Sequence, residues 1–425
     1  MGFLLPKAGV QRPIIAFVFI LIFIMSFQQL SQSLSGVKLM LSCWKQQLKG
    51  WPGYPPGHSL PQAVPQAISP EETQLGPEDI VILTNFTTGT PKPPGSSYTR
   101  TLVMPRLAKD NVDWIDDSLG DIKTEIYVVD DPNSVPRTPM NKGREAMAYL
   151  TYLIDNYDNL PDIIIFMHSH RTAWHNEEPL SHDSKEMIKR LSNERVTRDG
   201  FMNLRCNWAP GCPDWLHPQS MEEDKEKPEQ PIVANGWRDI FPSVPVPEVL
   251  AGQCCAQFAL SRERALAVPR THFIYYRDWL LRTTLTDFLS GRVWEYLWHV
   301  IFTGQNVYCP AEQACFCDGY GLCFEEDQQY FEFMQLGSAL FNLRQKLKSW
   351  HRKDAEFKKA KKERNFAALV KMEAPQQSKR EELEQQLLQK SSVYAQLRDA
   401  AFERGQDPRV RARVAGRPWA EGDGF

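Results

Sequence analysis

Neither acids nor bases predominate in this chain. Its 49 Lys and Arg against 52 Asp and Glu leave a formal net charge of −3 over 425 residues. The central region holds no basic patch interleaved with aromatics, so nucleic-acid binding is set aside. The nine cysteines include no C-x2-C pair, and Cys315-Phe316-Cys317 is too tight for a usual zinc knuckle. Both facts weigh against a structural zinc site. Disorder is not the default either, because 42% hydrophobic and 11% aromatic residues suffice for a real core.

What is there begins with one apolar segment. Lys7 and Arg12 precede an uninterrupted run from Ile14 to Phe27, which covers roughly 21 Å as a helix, short of a ~30 Å hydrocarbon core. Two readings of residues 1–30 follow. One is a signal-anchor in a thin early-secretory membrane, with the membrane as partner through residues 14–27. The other is a cleaved signal peptide with Ser33-Leu34-Ser35 at the cleavage site. Eight of the nine cysteines fall between Cys206 and Cys323, which in an exported chain reads as a disulfide framework. Cys309, Cys315, Cys317 and Cys323 suggest a stapled C-terminal loop region. Cys254 and Cys255, being adjacent, are expected to pair with different partners. Asn85-Phe86-Thr87 is a glycosylation sequon in an accessible segment. Together these point to a single-pass protein of the endoplasmic reticulum or Golgi with its domain in the lumen, or a secreted one if the segment is cleaved.

Residues 31–97 are rich in Pro, Gln, Gly and Ser and read as a stalk, with Ile80–Leu83 as a first strand or an isolated contact. From residue 98 the pattern changes. Thr101–Met104 and Glu125–Val129 read as strands. Asn141–Leu160 has helical spacing at Ala146, Tyr149, Leu150, Leu153, Ile154 and Tyr157, with Asn141 as its cap. Ile163–Met167 is continuously apolar, as in a strand buried on both faces. Strand, helix and buried strand form a βαβ unit, so residues 98–325 are expected to be an α/β domain. Its largely parallel central sheet is flanked by helices. The segment 210–247 reads as loop with a charged insert from Met221 to Pro231. Cys254–Leu260 reads as a strand, and Gly291–Phe302 as one aromatic helix. Residues 326–425 read as charged helices ending in an Arg-rich disordered tail.

Several of these stretches resemble a known family. They are Asn141-Lys142-Gly143-Arg144-Glu145-Ala146, Phe166-Met167-His168, Trp174-His175, Cys254-Cys255-Ala256-Gln257-Phe258 and Ser290-Gly291-Arg292-Val293-Trp294-Glu295. Over roughly residues 100–325 the chain looks like a fungal family of membrane-anchored proteins catalogued as a domain of unknown function. That family is distantly similar to nucleotide-sugar glycosyltransferases of the single-Rossmann kind. The resemblance implies a nucleotide-sugar donor, a glycan or small-molecule acceptor, and a divalent metal ion held by carboxylates. Where such enzymes carry Asp-x-Asp after the buried strand, this chain has His168-Ser169-His170.

Ligands of parallel sheets gather at the carboxyl ends of the strands. Asp130 and Asp131 at one such end are candidate catalytic carboxylates, with an ordinary Asp-Pro turn as the plainer account. His168, His170 and His175 are candidate metal ligands, with both strand histidines on one face and Glu177, Glu178 or Asp183 completing the set. Gly143, Arg144 and Glu145 open a helix where an anion can sit. Glu295 lies in an apolar helix between Arg292 and His299, so it is a candidate general base or the partner of Arg292, itself a candidate substrate-binding residue. Three functions remain in view: a lumenal glycosyltransferase-like enzyme, a non-catalytic carbohydrate-binding or scaffold protein, and a metal-dependent hydrolase built on His168, His170 and His175.

Overall fold

The computed structural model describes residue 76 and residues 79–116, 119–120, 122–222 and 224–425. The N-terminal apolar run and the first part of the stalk lie outside these residues. Strand β1 (Arg100–Arg106) is parallel to β2 (Lys123–Val128) on one side and to β3 (Ile163–Phe166) on the other. β4 (Phe201–Asn203) and β6 (Phe258–Ser261) complete a five-stranded sheet in the order β2-β1-β3-β6-β4. β6 runs antiparallel to both its neighbours. β5 (Ala251–Gly252) pairs instead with β7 (Val307–Tyr308) in a separate parallel ribbon.

Strand periodicity divides the core. Val103, Ile164, Phe166, Phe258 and Leu260 face one layer, while Leu102, Met104, Ile163, Ile165 and Ala259 face the other. All four residues of β3 are fully buried. That accounts for the unbroken apolar run, and each large side chain there stabilises the fold by about 1.5–3 kcal/mol. The first layer contains α1 (Ala146–Asp155), α4 (Gln230–Ile240), α6 (Arg270–Arg282), α7 (Asp287–Glu295) and α8 (Trp298–Thr303). The second contains α2 (Ser184–Arg190), α3 (Asn193–Asp199) and α9 (Glu312–Tyr320). The short α5 (Arg262–Ala267) follows β6 directly, capped by the Ser261 side chain.

The details differ from expectation in six places. Helix α1 starts at Ala146 and not near Asn141, because Gly143 and Arg144 adopt left-handed backbone (φ 76° and 55°) that no α-helix accommodates. The aromatic helix breaks after Glu295, so His299 does not share its face. His299 Nε2 instead meets the Asn306 carbonyl at 3.2 Å. Cys254 and Cys255 bond to each other and lie in a bend before β6, not in a strand. The remaining bonds are Cys206–Cys315, Cys212–Cys309 and Cys317–Cys323. They staple β7 and α9, so the expected C-terminal loop region is a strand and a helix. Within the segment read as loop, Gln230–Ile240 is helical, with Pro231 in its first turn where a missing N–H costs nothing.

Sixth, the Arg-rich end is not disordered. α10 (Asp327–Lys362) and α12 (Gln377–Arg404) form a long hairpin around the short α11 (Phe366–Leu369), followed by α13 (Pro408–Val414). Phe333, Leu340, Tyr394 and Ala401 pack into the second layer. Their apolar spacing was diluted among so many charges that the docking face did not stand out. The end of the stalk is also seated on the domain: Ile80 is fully buried and Phe86 packs beneath the Arg264 guanidinium. Ile80–Leu83 is thus a contact segment without strand pairing, and Asn85 beside it is exposed.

Candidate functional site at the carboxyl edge of the sheet

The chain passes from β1 to β2 on one side and, through α1, to β3 on the other. The strand order therefore reverses about β1, and such a reversal opens a crevice at the carboxyl ends of the strands. β3 ends at Phe166, so His168 and His170 lie in the loop beyond it, where strand alternation no longer applies. His168 is held by its backbone N–H, which donates to Gln257 Oε1 (3.1 Å). Gln257 Nε2 in turn donates to Asn176 Oδ1 (3.0 Å). The His168 ring faces two partners: Nδ1 lies 3.2 Å from His175 Nε2, and Nε2 lies 3.8 Å from Glu145 Oε2. His170 is exposed at the rim.

Glu145 reaches this position because the two left-handed residues before it turn the chain abruptly into α1. Asp287 locks that turn, accepting from the Arg144 N–H (2.9 Å) and pairing with Arg144 Nε (3.4 Å). Gly291 allows the close approach: a Cβ there would lie 2.5 Å from Arg144 Cγ. On the far side, Arg205 donates to the His175 carbonyl (2.7 Å).

The electrostatics follow from burial. Solvent reaches 14% of the Glu145 side chain and 25% of His168. Burial pushes the Glu145 carboxyl from 4.5 up to about 8, with the Glu295 charge adding to the rise and Arg144 opposing it. Burial likewise pushes His168 down to about 4, helped by His170 and Arg144. His175 is driven well below its ordinary value by burial and then by His168 and Arg205. At neutral pH the cluster is a mostly protonated carboxyl beside two neutral imidazoles. A carboxyl titrating near neutrality is what general acid–base chemistry requires.

The other candidates are placed differently. Both Glu295 oxygens are engaged: Oε1 accepts from the Cys255 N–H (3.0 Å) and Oε2 from Arg292. Arg292 also bonds Glu229 Oε1 and Tyr296 Oη, each at 2.7 Å. This network fixes the Glu295 charge that adds to the rise at Glu145. Asp130 Oδ1 accepts from the Ala108 N–H (2.7 Å), tying the end of β2 to the loop after β1, and Asp131 Oδ1 accepts from the Asn133 N–H (2.9 Å), closing a turn. They follow β2, which β1 separates from β3. Glu177 is buried and accepts from the N–H groups of Cys206 and Asn207. Glu178 pairs with Arg344 and Asp183 with Arg171. Among the described residues, no group of three or more His, Cys, Asp or Glu is arranged to hold a metal ion. Gln257, Asn176, Arg205 and Asp287 were not singled out from the sequence. Only Gln257 carried a signal, its place in Cys-Cys-Ala-Gln-Phe.

Residues 102–318, which span this whole site, match the model of the family described as Protein of unknown function (DUF3431). The chain belongs to that family. No curated protein matches it, and no solved structure does. The match begins inside β1 and ends inside α9, so this family member carries the stalk contact and the helical hairpin outside the shared region.

Proposed function

We propose that this chain is a membrane-anchored, lumenal glycosyltransferase-like enzyme that takes a nucleotide sugar as donor and a glycan or small-molecule hydroxyl as acceptor. One observation carries the reading. The buried carboxyl of Glu145 and the imidazoles of His168 and His175 meet at the carboxyl edge, where the strand order reverses about β1. Nucleotide ligands bind at such edges in open α/β sheets. In this reading Glu145, in its ionised form, takes the proton from the acceptor hydroxyl as that oxygen attacks the anomeric carbon. The nucleoside diphosphate leaves with the bonding electron pair. His168 orients the acceptor through Nε2, a buried atom with no hydrogen-bond partner among the described residues. Arg144, at the turn into α1, faces the donor phosphates.

The donor set does not suit the divalent ion that the glycosyltransferase resemblance implies. Mg2+ and Mn2+ prefer oxygen ligands, whereas this cluster offers two imidazoles and a largely protonated carboxyl. Asp130 and Asp131 follow β2, which β1 separates from β3, and each gives one oxygen to a backbone N–H. The hydrolase reading meets the same shortage, because the nearby carboxylates Glu177, Glu178 and Asp183 are engaged elsewhere.

Purified protein screened against a panel of nucleotide sugars, with donor hydrolysis and donor binding both followed, tests the proposal. Turnover of one donor that Glu145→Gln abolishes without weakening donor binding supports it. Carbohydrate binding with no donor binding or turnover would establish the scaffold reading instead.

A further inference from the structure

The hairpin of α10 and α12 continues past the domain. Among the described residues, α10 meets the α/β body at Gly337 and Arg344, both beside Glu178. Beyond them Trp350 and Ala360 are buried, and Trp350 Nε1 donates to the Gln376 carbonyl where α12 begins. Residues 345–362 therefore extend as a helical arm roughly 27 Å long at ~1.5 Å per residue. Its tip has an unusual surface. Phe366 is 71% and Val370 87% exposed, four residues apart and so on one side of the turn that α11 makes. Along residues 352–372 exposed cations outnumber Asp354, Glu356 and Glu363, with Lys361, Lys362, Arg364 and Lys371 within five residues of Phe366 or Val370 in the chain. Eight bases less three acids give +5 over residues 352–372, while the whole chain carries −3. Lys359, Lys361, Lys362, Arg364 and Lys371 form no ion pair among the described residues; Lys358 is the exception, bonded to Asp354 at 2.7 Å.

We infer that this tip docks on an anionic lipid bilayer. Two exposed apolar side chains at the turn between the two long helices, flanked in the chain by cations without ion pairs among the described residues, match the order of a membrane surface. The apolar groups enter the acyl boundary and the cations remain at the headgroups. An acidic protein groove would satisfy the charge but offers no shared reason for Phe366 and Val370 to project together. The inference is independent of the proposed chemistry and of the N-terminal segment.

Hydrogen exchange on the full chain reads the tip separately from any other membrane contact. On vesicles containing about a third phosphatidylserine, amides of residues 364–372 should exchange at least tenfold more slowly than in solution. Pure phosphatidylcholine vesicles should leave them unchanged. The slowing should vanish in Phe366→Ser/Val370→Ser and, separately, in Lys359→Glu/Lys361→Glu/Lys362→Glu, whose exposed positions leave the hairpin folded. Unchanged exchange on anionic vesicles would overturn the inference. So would equal protection in both variants, or protection by soluble heparin with none from vesicles.

Discussion

Replacing Glu145 by Gln removes one titration from the site while keeping the shape of the side chain. The folded protein holds this carboxyl at about 8 in place of 4.5, so the fold favours the protonated form. Its contribution is whole below pH 4.5 and is lost as pH rises through the folded value of about 8. Relative to the Gln variant, the native protein should be nearly equal in stability at about pH 4 and weaker by about 3 kcal/mol at about pH 7, at ~1.4 kcal/mol per pH unit. Above about pH 8 the gap should level at roughly 5 kcal/mol. These are upper figures, because solvent reaches part of the side chain. Urea unfolding of both proteins with disulfides intact, at several pH values, measures the gap directly, and titrations common to the two cancel. A gap that stays constant with pH, or narrows as pH rises, would refute the argument that burial in this cluster holds Glu145 protonated. It would also remove the reason for choosing Glu145 over Glu295 as the base.

Other consequences are separately measurable. The His168 ring should remain neutral from pH 8 down to about 5, since burial lowers its pKa to about 4; an NMR titration with a midpoint near 6.5 would contradict this. Gly291→Ala should destabilise by about 1–3 kcal/mol and weaken donor binding, because the new methyl forces the Arg144 turn to move. An unchanged melting temperature would show that the turn is looser than described. Alkylation of the native protein without reductant should label none of the eight cysteines from Cys206 to Cys323, and removing the Cys206–Cys315 bond should cost about 2–5 kcal/mol. Substantial labelling would count against an oxidised framework.

The local pattern of the chain carried the architecture of the domain. Four consecutive large apolar residues at Ile163–Phe166 are stable only with both faces covered, so a buried central strand between helical layers was legible. Helical spacing from Ala146 to Ile154 placed α1 against that strand, and an even cysteine count over Cys206–Cys323 implied the staples. These inferences rest on periodicity and composition, which act within a few residues of chain. The identity of the acid in the site does not. The sequence pattern made Glu295 the candidate base and put Glu145 only at the anion-binding start of a helix. Folding gives Glu295 an Arg292 partner and the Cys255 N–H, while Glu145 is left against His168 with little solvent. Asp130 and Asp131 were candidates with an Asp-Pro turn as the plainer account, and only the strand order places β1 between the β2 they follow and β3. The Cys254–Cys255 bond depends on backbone that local rules disfavour, with Cys255 at φ 91° and Ala256 at φ 49°. Burial, strand order and left-handed backbone arise from contacts between residues far apart in the chain, and a pKa responds to the sum of those contacts.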